Sequence, residues 1–106
     1  MIKTYKSTLV TAVTLLFFAG ASYAEDWAQG YGETPTEAID NALKAAERIV
    51  ASRGKGCVGP GKSGGPAVRY IGKERGLYKF EAVYSHHDGS CGKRKSIGDY
   101  VKELGF

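Results

Sequence analysis

The chain has 106 residues, with 15 Lys or Arg against 11 Asp or Glu and a formal charge of +4. That length leaves room for one domain only, and no internal repeat is visible. Two of the 15 basic residues, Lys3 and Lys6, sit in a stretch that reads as a removable leader, which leaves 13 against 11 and a nearly balanced domain.

Residues 1–24 have the order of a secretory signal peptide. A basic start is followed by an apolar run, Leu9 to Gly20, broken only by Thr11 and Thr14. Ala21-Ser22-Tyr23-Ala24 then puts small residues one and three positions before a cut after Ala24. The apolar run is too short to span a bilayer, and the lack of a cysteine after the cut argues against a lipid anchor. Residues 25–106 are therefore expected to form one exported domain, periplasmic or secreted, without a transmembrane segment. In an oxidising compartment the isolated pair Cys57 and Cys91 is expected to be a structural disulfide. No C-x-x-C redox spacing is present.

Trp27 to Gly32 alternates Trp27, Gln29 and Tyr31 with Ala28 and Gly30, a short strand. Thr34-Pro35-Thr36-Glu37 is a capping box with proline at the first helical position, the Glu37 carboxylate being expected to return to the Thr34 amide. Ile39, Ala42, Leu43, Ala46, Ile49 and Val50 recur at spacings of three and four, which predicts a helix with one apolar stripe. Gly54 or Gly56 ends it. A Gly-rich connector runs from Gly54 to Pro66. Ala67 to Lys73 and Leu77 to Ser85 read as two strands joined by a turn at Glu74-Arg75-Gly76, an antiparallel hairpin. In the second strand Tyr78, Phe80, Ala82 and Tyr84 share a face opposite Lys79, Glu81 and Val83. His86 to Lys95 is a polar loop, and Ile97 to Phe106 is a last strand or a short helix. The expected fold class is α+β, with order β-α-β-β and one amphipathic helix packed on a small antiparallel sheet.

Two phosphate-binding patterns occur in the connector and fail on context. Gly56 to Ser63 satisfies G-x-x-x-x-G-K-[ST], and Gly54, Gly56 and Gly59 satisfy G-x-G-x-x-G. Both mechanisms need a strand before the loop and a helix after it. Here a helix comes before and Gly64-Gly65-Pro66 after, so no nucleotide is expected. His86-His87-Asp88 is the remaining chemical cluster. The two histidines are weak metal candidates, because neighbours on a strand end point to opposite sides and no third ligand is evident. No catalytic residue is assigned, and the chain reads as non-enzymatic. Trp27, Tyr78 and Phe80 are expected to fill the core under the Ala-rich helix, rather than stack on sugars or single-stranded nucleic acid; nucleic acid is not expected as a partner.

Charge divides along the chain. Glu25 to Glu47 holds six acids and one base, whereas Arg48 to Lys95 holds eleven bases and three acids. Lys55, Lys62, Arg69, Lys73, Lys79, Lys93, Arg94 and Lys95 are the candidate contacts to an anionic partner, the alternative being a solvated surface.

The segment Gly32 to Ala46, GETPTEAIDNALKAA, resembles the strand-to-helix opening of dodecin-like β-α-β-β proteins. The order of elements also resembles small exported envelope proteins of the YdgH/BhsA/McbA kind. That resemblance implies a dodecin-like fold and an association with stress response. The second strand lacks the tryptophan expected for flavin stacking in dodecins, so no cofactor is carried over. The expected function is that of a small exported, disulfide-stabilised binding or accessory protein of the cell envelope, contacting an anionic envelope component or another protein. The alternatives are a secreted inhibitor presenting the Gly-rich loop and a small His-dependent nuclease or toxin.

Overall fold

A computed structural model describes residues 25–62 and 64–106. The expected leader, residues 1–24, lies outside the described residues. The chain order is β1 (Glu25–Gly32), α1 (Pro35–Arg53), β2 (Cys57–Val58), β3 (Val68–Glu74), β4 (Leu77–Ser85) and α2 (Ile97–Glu103). The α+β class and the antiparallel sheet are as the periodicity predicts. The short β2 arises inside the connector, where no strand is expected.

Strand β4 is the centre of the sheet. Along one edge it pairs with all of β1, from Glu25 opposite Ser85 to Gly32 opposite Tyr78. Along the other edge β2 and β3 lie end to end, Cys57 opposite Ser85 and Val68 opposite Ala82. The gap between them is bridged by Gly59 N–H donating to the Val83 carbonyl at 3.1 Å and Val83 N–H donating to the Ala67 carbonyl at 3.0 Å. β3 carries a bulge at Ile71, between Tyr70 opposite Phe80 and Gly72 opposite Lys79. The β3–β4 connection is the two-residue turn Arg75-Gly76, where both residues have positive φ, 54° and 81°.

Helix α1 begins as its capping sequence dictates. The Thr34 hydroxyl accepts from Glu37 N–H at 3.1 Å. The Glu37 carboxylate returns to the amide of Glu33, also at 3.1 Å, one residue before the amide expected. The helix ends at Gly54, whose left-handed backbone lets its N–H reach the Val50 and Ala51 carbonyls. Its inner face (Ala38, Ile39, Ala42, Leu43 and Ala46) is buried against Ala28, Phe80, Ala82 and Tyr84 of the sheet. Ile49 and Val50 extend the stripe and are half-buried.

One assignment is reversed. Trp27 is not in the core under the helix but on the opposite face of the sheet. By strand alternation it shares that face with Gln29 and Tyr31, while Ala28, Gly30 and Gly32 lie beneath α1. The cause is steric: a Cβ at Gly30 would stand 2.1 Å from the Ala42 nitrogen, so the helix rests on backbone there. Large partners come from β4 instead, where Phe80 is fully buried, Tyr84 buried and Tyr78 half-buried.

The tail resolves into a helix. Ser96 caps α2 by accepting from Asp99 N–H at 3.2 Å, and Tyr100 is the helix's buried residue. Phe106 packs on an aromatic group, 4.9 Å from the Tyr70 ring centroid and 5.5 Å from that of Phe80.

Candidate functional site

The expected disulfide is formed, Cys57 to Cys91 with Cα atoms 6.1 Å apart. It ties the start of the Gly-rich connector to the loop after β4. The join continues beyond the sulfurs: Gly61 is bridged to Cys91, and Gly92 N–H donates to the Pro60 carbonyl. Gly59 lies against the aliphatic stem of Arg94. Asp88 anchors the same end from below, its carboxylate accepting from Gly56 N–H at 2.7 Å. The connector is thus a pinned strap. Lys62 lies in the turn closed by Gly64 N–H donating to the Gly61 carbonyl at 3.0 Å, with no helix following, which is the wrong frame for a phosphate loop.

The eight candidate bases do not converge on one face. Arg69 and Lys79 belong to the open face of the sheet, and both are already engaged. Arg69 Nε donates to Glu81 at 2.8 Å, its second contact to the same oxygen coming from Nη2. The guanidinium also covers the Trp27 ring, 3.6 Å from its centroid. Lys79 lies 3.5 Å from the Glu74 carboxylate and 5.4 Å from the Tyr31 ring centroid. The Tyr31 hydroxyl donates to Glu74 at 3.0 Å. Tyr31, and then Glu74, hold the Lys79 ammonium above its ordinary pKa. A platform for bases or sugars needs bare rings, and the Trp27 ring carries a guanidinium instead.

Arg94 and Lys95 are also paired. Arg94 reaches Glu47 of α1 at 3.3 Å, and Lys95 meets Glu103 of α2. Glu103 raises the Lys95 pKa. Lys73 lies over the Tyr78 ring, 4.5 Å from its centroid. Among the described residues, Lys55, Lys62, Lys73 and Lys93 have no salt-bridged carboxylate. Three of these four, Lys55, Lys62 and Lys93, are exposed on the segments that the disulfide and the backbone bridges hold together.

The histidine cluster separates. His86 is hydrogen-bonded through Nδ1 to Arg53 at the end of α1, and its Nε2 lies 3.8 Å from the Asp26 carboxylate. His87 is exposed and its carbonyl accepts from the Ser90 hydroxyl at 2.8 Å, while Asp88 is committed to Gly56. Among the described residues no group of three His, Cys, Asp or Glu side chains is placed to hold a metal ion. Arg53 and Asp26 were not marked by the sequence, because the contact joins a helix end to two strands far apart in the chain. Nor is any helix among the described residues long and apolar enough to cross a membrane.

No family model, curated protein or solved structure matches the chain.

Proposed function

We propose that the chain is a small exported binding protein of the cell envelope, periplasmic or secreted, acting by contact rather than catalysis. Its contact surface is the disulfide-tied loop end, where Lys55, Lys62 and Lys93 face an anionic envelope component or an acidic protein surface. The observation that carries this reading is the contrast among the bases. Arg69, Lys79, Arg94 and Lys95 are met by carboxylates, whereas these three ammonium groups are exposed on segments held by one bridge. Unpaired charge on a fixed backbone attracts an anionic surface without first breaking an internal pair. The export reading rests on the leader-like sequence and agrees with an oxidised cysteine pair. The stress association implied by the envelope-protein resemblance belongs to the same reading.

The test is co-sedimentation of the oxidised protein with phosphatidylglycerol vesicles, against phosphatidylcholine vesicles as the neutral control. Binding to the anionic vesicles is expected to fall with added salt. The triple variant Lys55→Gln, Lys62→Gln, Lys93→Gln is expected to lose it, while Arg69→Gln retains it. Equal binding by the triple variant and the parent would overturn the assignment.

A further inference from the structure

Under the pinned strap lies a cavity of about 140 Å³. Its apolar lining includes Pro60 and Pro66 of the strap, Ala67 and Val68 at the start of β3, and Tyr100 and Leu104 in and just after α2, with Lys93 and Lys95 also lining it. Ala67, Val68 and Tyr100 are buried and Leu104 is half-buried. An apolar cavity of roughly 150 Å³ admits a benzene-sized molecule, so the space suits one aromatic ring or a compact branched alkyl group.

The polar groups point to the charge of the occupant. Lys95 is neutralised by Glu103, which also lines the cavity, whereas Lys93 has no salt-bridged carboxylate among the described residues. The lining therefore holds two ammonium groups against one carboxylate. The Tyr100 hydroxyl accepts from Lys95 N–H at 2.9 Å, and its own proton has no acceptor among the described residues. A free ammonium and an unspent hydroxyl donor above an apolar floor match an anionic head on an apolar body. One net positive charge suits a monoanion; a second negative charge would meet Glu103 uncompensated.

We propose that this cavity binds a small monoanion with an aryl or compact alkyl group, an aromatic monocarboxylate of benzoate size being the type ligand. Lys93 and Tyr100 hold the carboxylate, and Ala67, Val68 and Leu104 hold the ring. The site adjoins the proposed envelope surface and shares Lys93 with it, while Ala67, Val68, Tyr100 and Leu104 belong to the cavity alone.

The experiment is a titration of the oxidised, isotope-labelled protein followed by amide NMR shifts. The probes are benzoate, benzyl alcohol (ring without charge), acetate (charge without ring) and phthalate (dianion). Benzoate is expected to give saturable shifts centred on Ala67, Val68, Lys93 and Leu104, with the other three probes at least tenfold weaker. Lys93→Met, at an exposed position, is expected to weaken benzoate at least fivefold and leave benzyl alcohol unchanged, and Lys93→Arg to restore it. Ala67→Leu, which fills the floor, is expected to abolish both; should that variant fail to fold, Lys93→Met decides. Lys55→Gln and Lys62→Gln, which weaken vesicle binding, leave benzoate binding intact. Acetate as strong as benzoate, shifts centred elsewhere, or no effect of Lys93→Met would each overturn the site.

Discussion

Gly30 of β1 and the backbone of Ala42 of α1 are in direct apposition: a Cβ at Gly30 would stand 2.1 Å from the Ala42 nitrogen and 2.6 Å from its Cα. Neither strand nor helix can yield there without giving up the burial of Ala38, Ala42 and Ala46, each of which has no exposed surface. Gly30→Ala is therefore expected to cost at least the ~1–3 kcal/mol typical of an overpacked core. Gln29→Ala, next door but on the open face, is expected to stay within about 0.5 kcal/mol of the parent. Urea denaturation of the two variants checks both values, and a Gly30→Ala protein as stable as the parent would refute the close approach.

The same contact explains what could be read from the sequence and what could not. Helix α1 was legible because its signals are local: Thr34, Pro35 and Glu37 at the start, a three-four spacing of apolar residues, then Gly54. The alternation of β4 was equally plain, since Tyr78, Phe80, Ala82 and Tyr84 are separated by residues suited to the other face. The side of β1 that faces the helix is not the one that residue size suggests. Trp27 is the larger hydrophobe, but an Ala-rich helix seats closely, and Gly30 and Gly32 are the residues that allow it. That pairing of small residues on strand and helix was a signal available in the sequence. Strand β2 had none: Cys57 and Val58 pair only because the Gly-rich strap returns along β4. The cavity was invisible for a related reason, since Ala67 and Leu104 lie far apart in the chain and meet only once α2 has docked. Among the bases, residue type marked the candidates, but only the positions of Glu47, Glu74, Glu81 and Glu103 separate the paired from the unpaired.

Trp27 is the single tryptophan of the sequence and reports on its own cover. The guanidinium of Arg69 shields one ring face while Glu81 holds it in place. Arg69→Ala is expected to red-shift the tryptophan emission, increase acrylamide quenching and cost about 0.5–1 kcal/mol, the range for an exposed cation–π contact. Glu81→Gln leaves the guanidinium present and is expected to have a smaller effect on both optical readouts. Unchanged quenching in Arg69→Ala would show that the ring is covered by something else.

The disulfide closes a separation of 34 residues. In the chain-entropy model a loop of that size contributes roughly 4 kcal/mol by restricting the unfolded chain. For so short a domain that is a large share of the total. The double variant Cys57→Ala, Cys91→Ala is expected to melt well below the parent, and a reductant is expected to lower the parent's Tm while leaving the variant's unchanged. Because the bridge also holds the strap over the cavity, benzoate binding is expected to fall in the variant even at temperatures where it remains folded.

Tyr84 gives the pH dependence. Its ring is buried, and burial raises the phenol pKa above the ordinary value of 10.0; the nearby Asp26 carboxylate raises it further, while Arg53 opposes the shift. A group whose pKa is higher folded than unfolded binds its proton more tightly in the native state, so stability falls as pH rises once the unfolded group begins to ionise. The contribution is complete below about pH 10, the unfolded tyrosine value, and is lost above it. Tyr84→Phe is expected to match the parent within about 0.5 kcal/mol at pH 8, since the phenol makes no hydrogen bond among the described residues and the ring volume is kept. Above pH 10 the variant is expected to become the more stable of the two. Arg53→Ala, which removes the opposing positive charge, is expected to raise the folded phenol's pKa further and enlarge the loss of stability above pH 10. Lys79 and Lys95, also raised, lose their stabilisation on the same side of the scale, but their exposed pairs contribute little, so a residual slope remains in Tyr84→Phe. Guanidinium denaturation at a series of pH values reads these slopes directly, and parallel curves for parent and Tyr84→Phe would remove Tyr84 as the source.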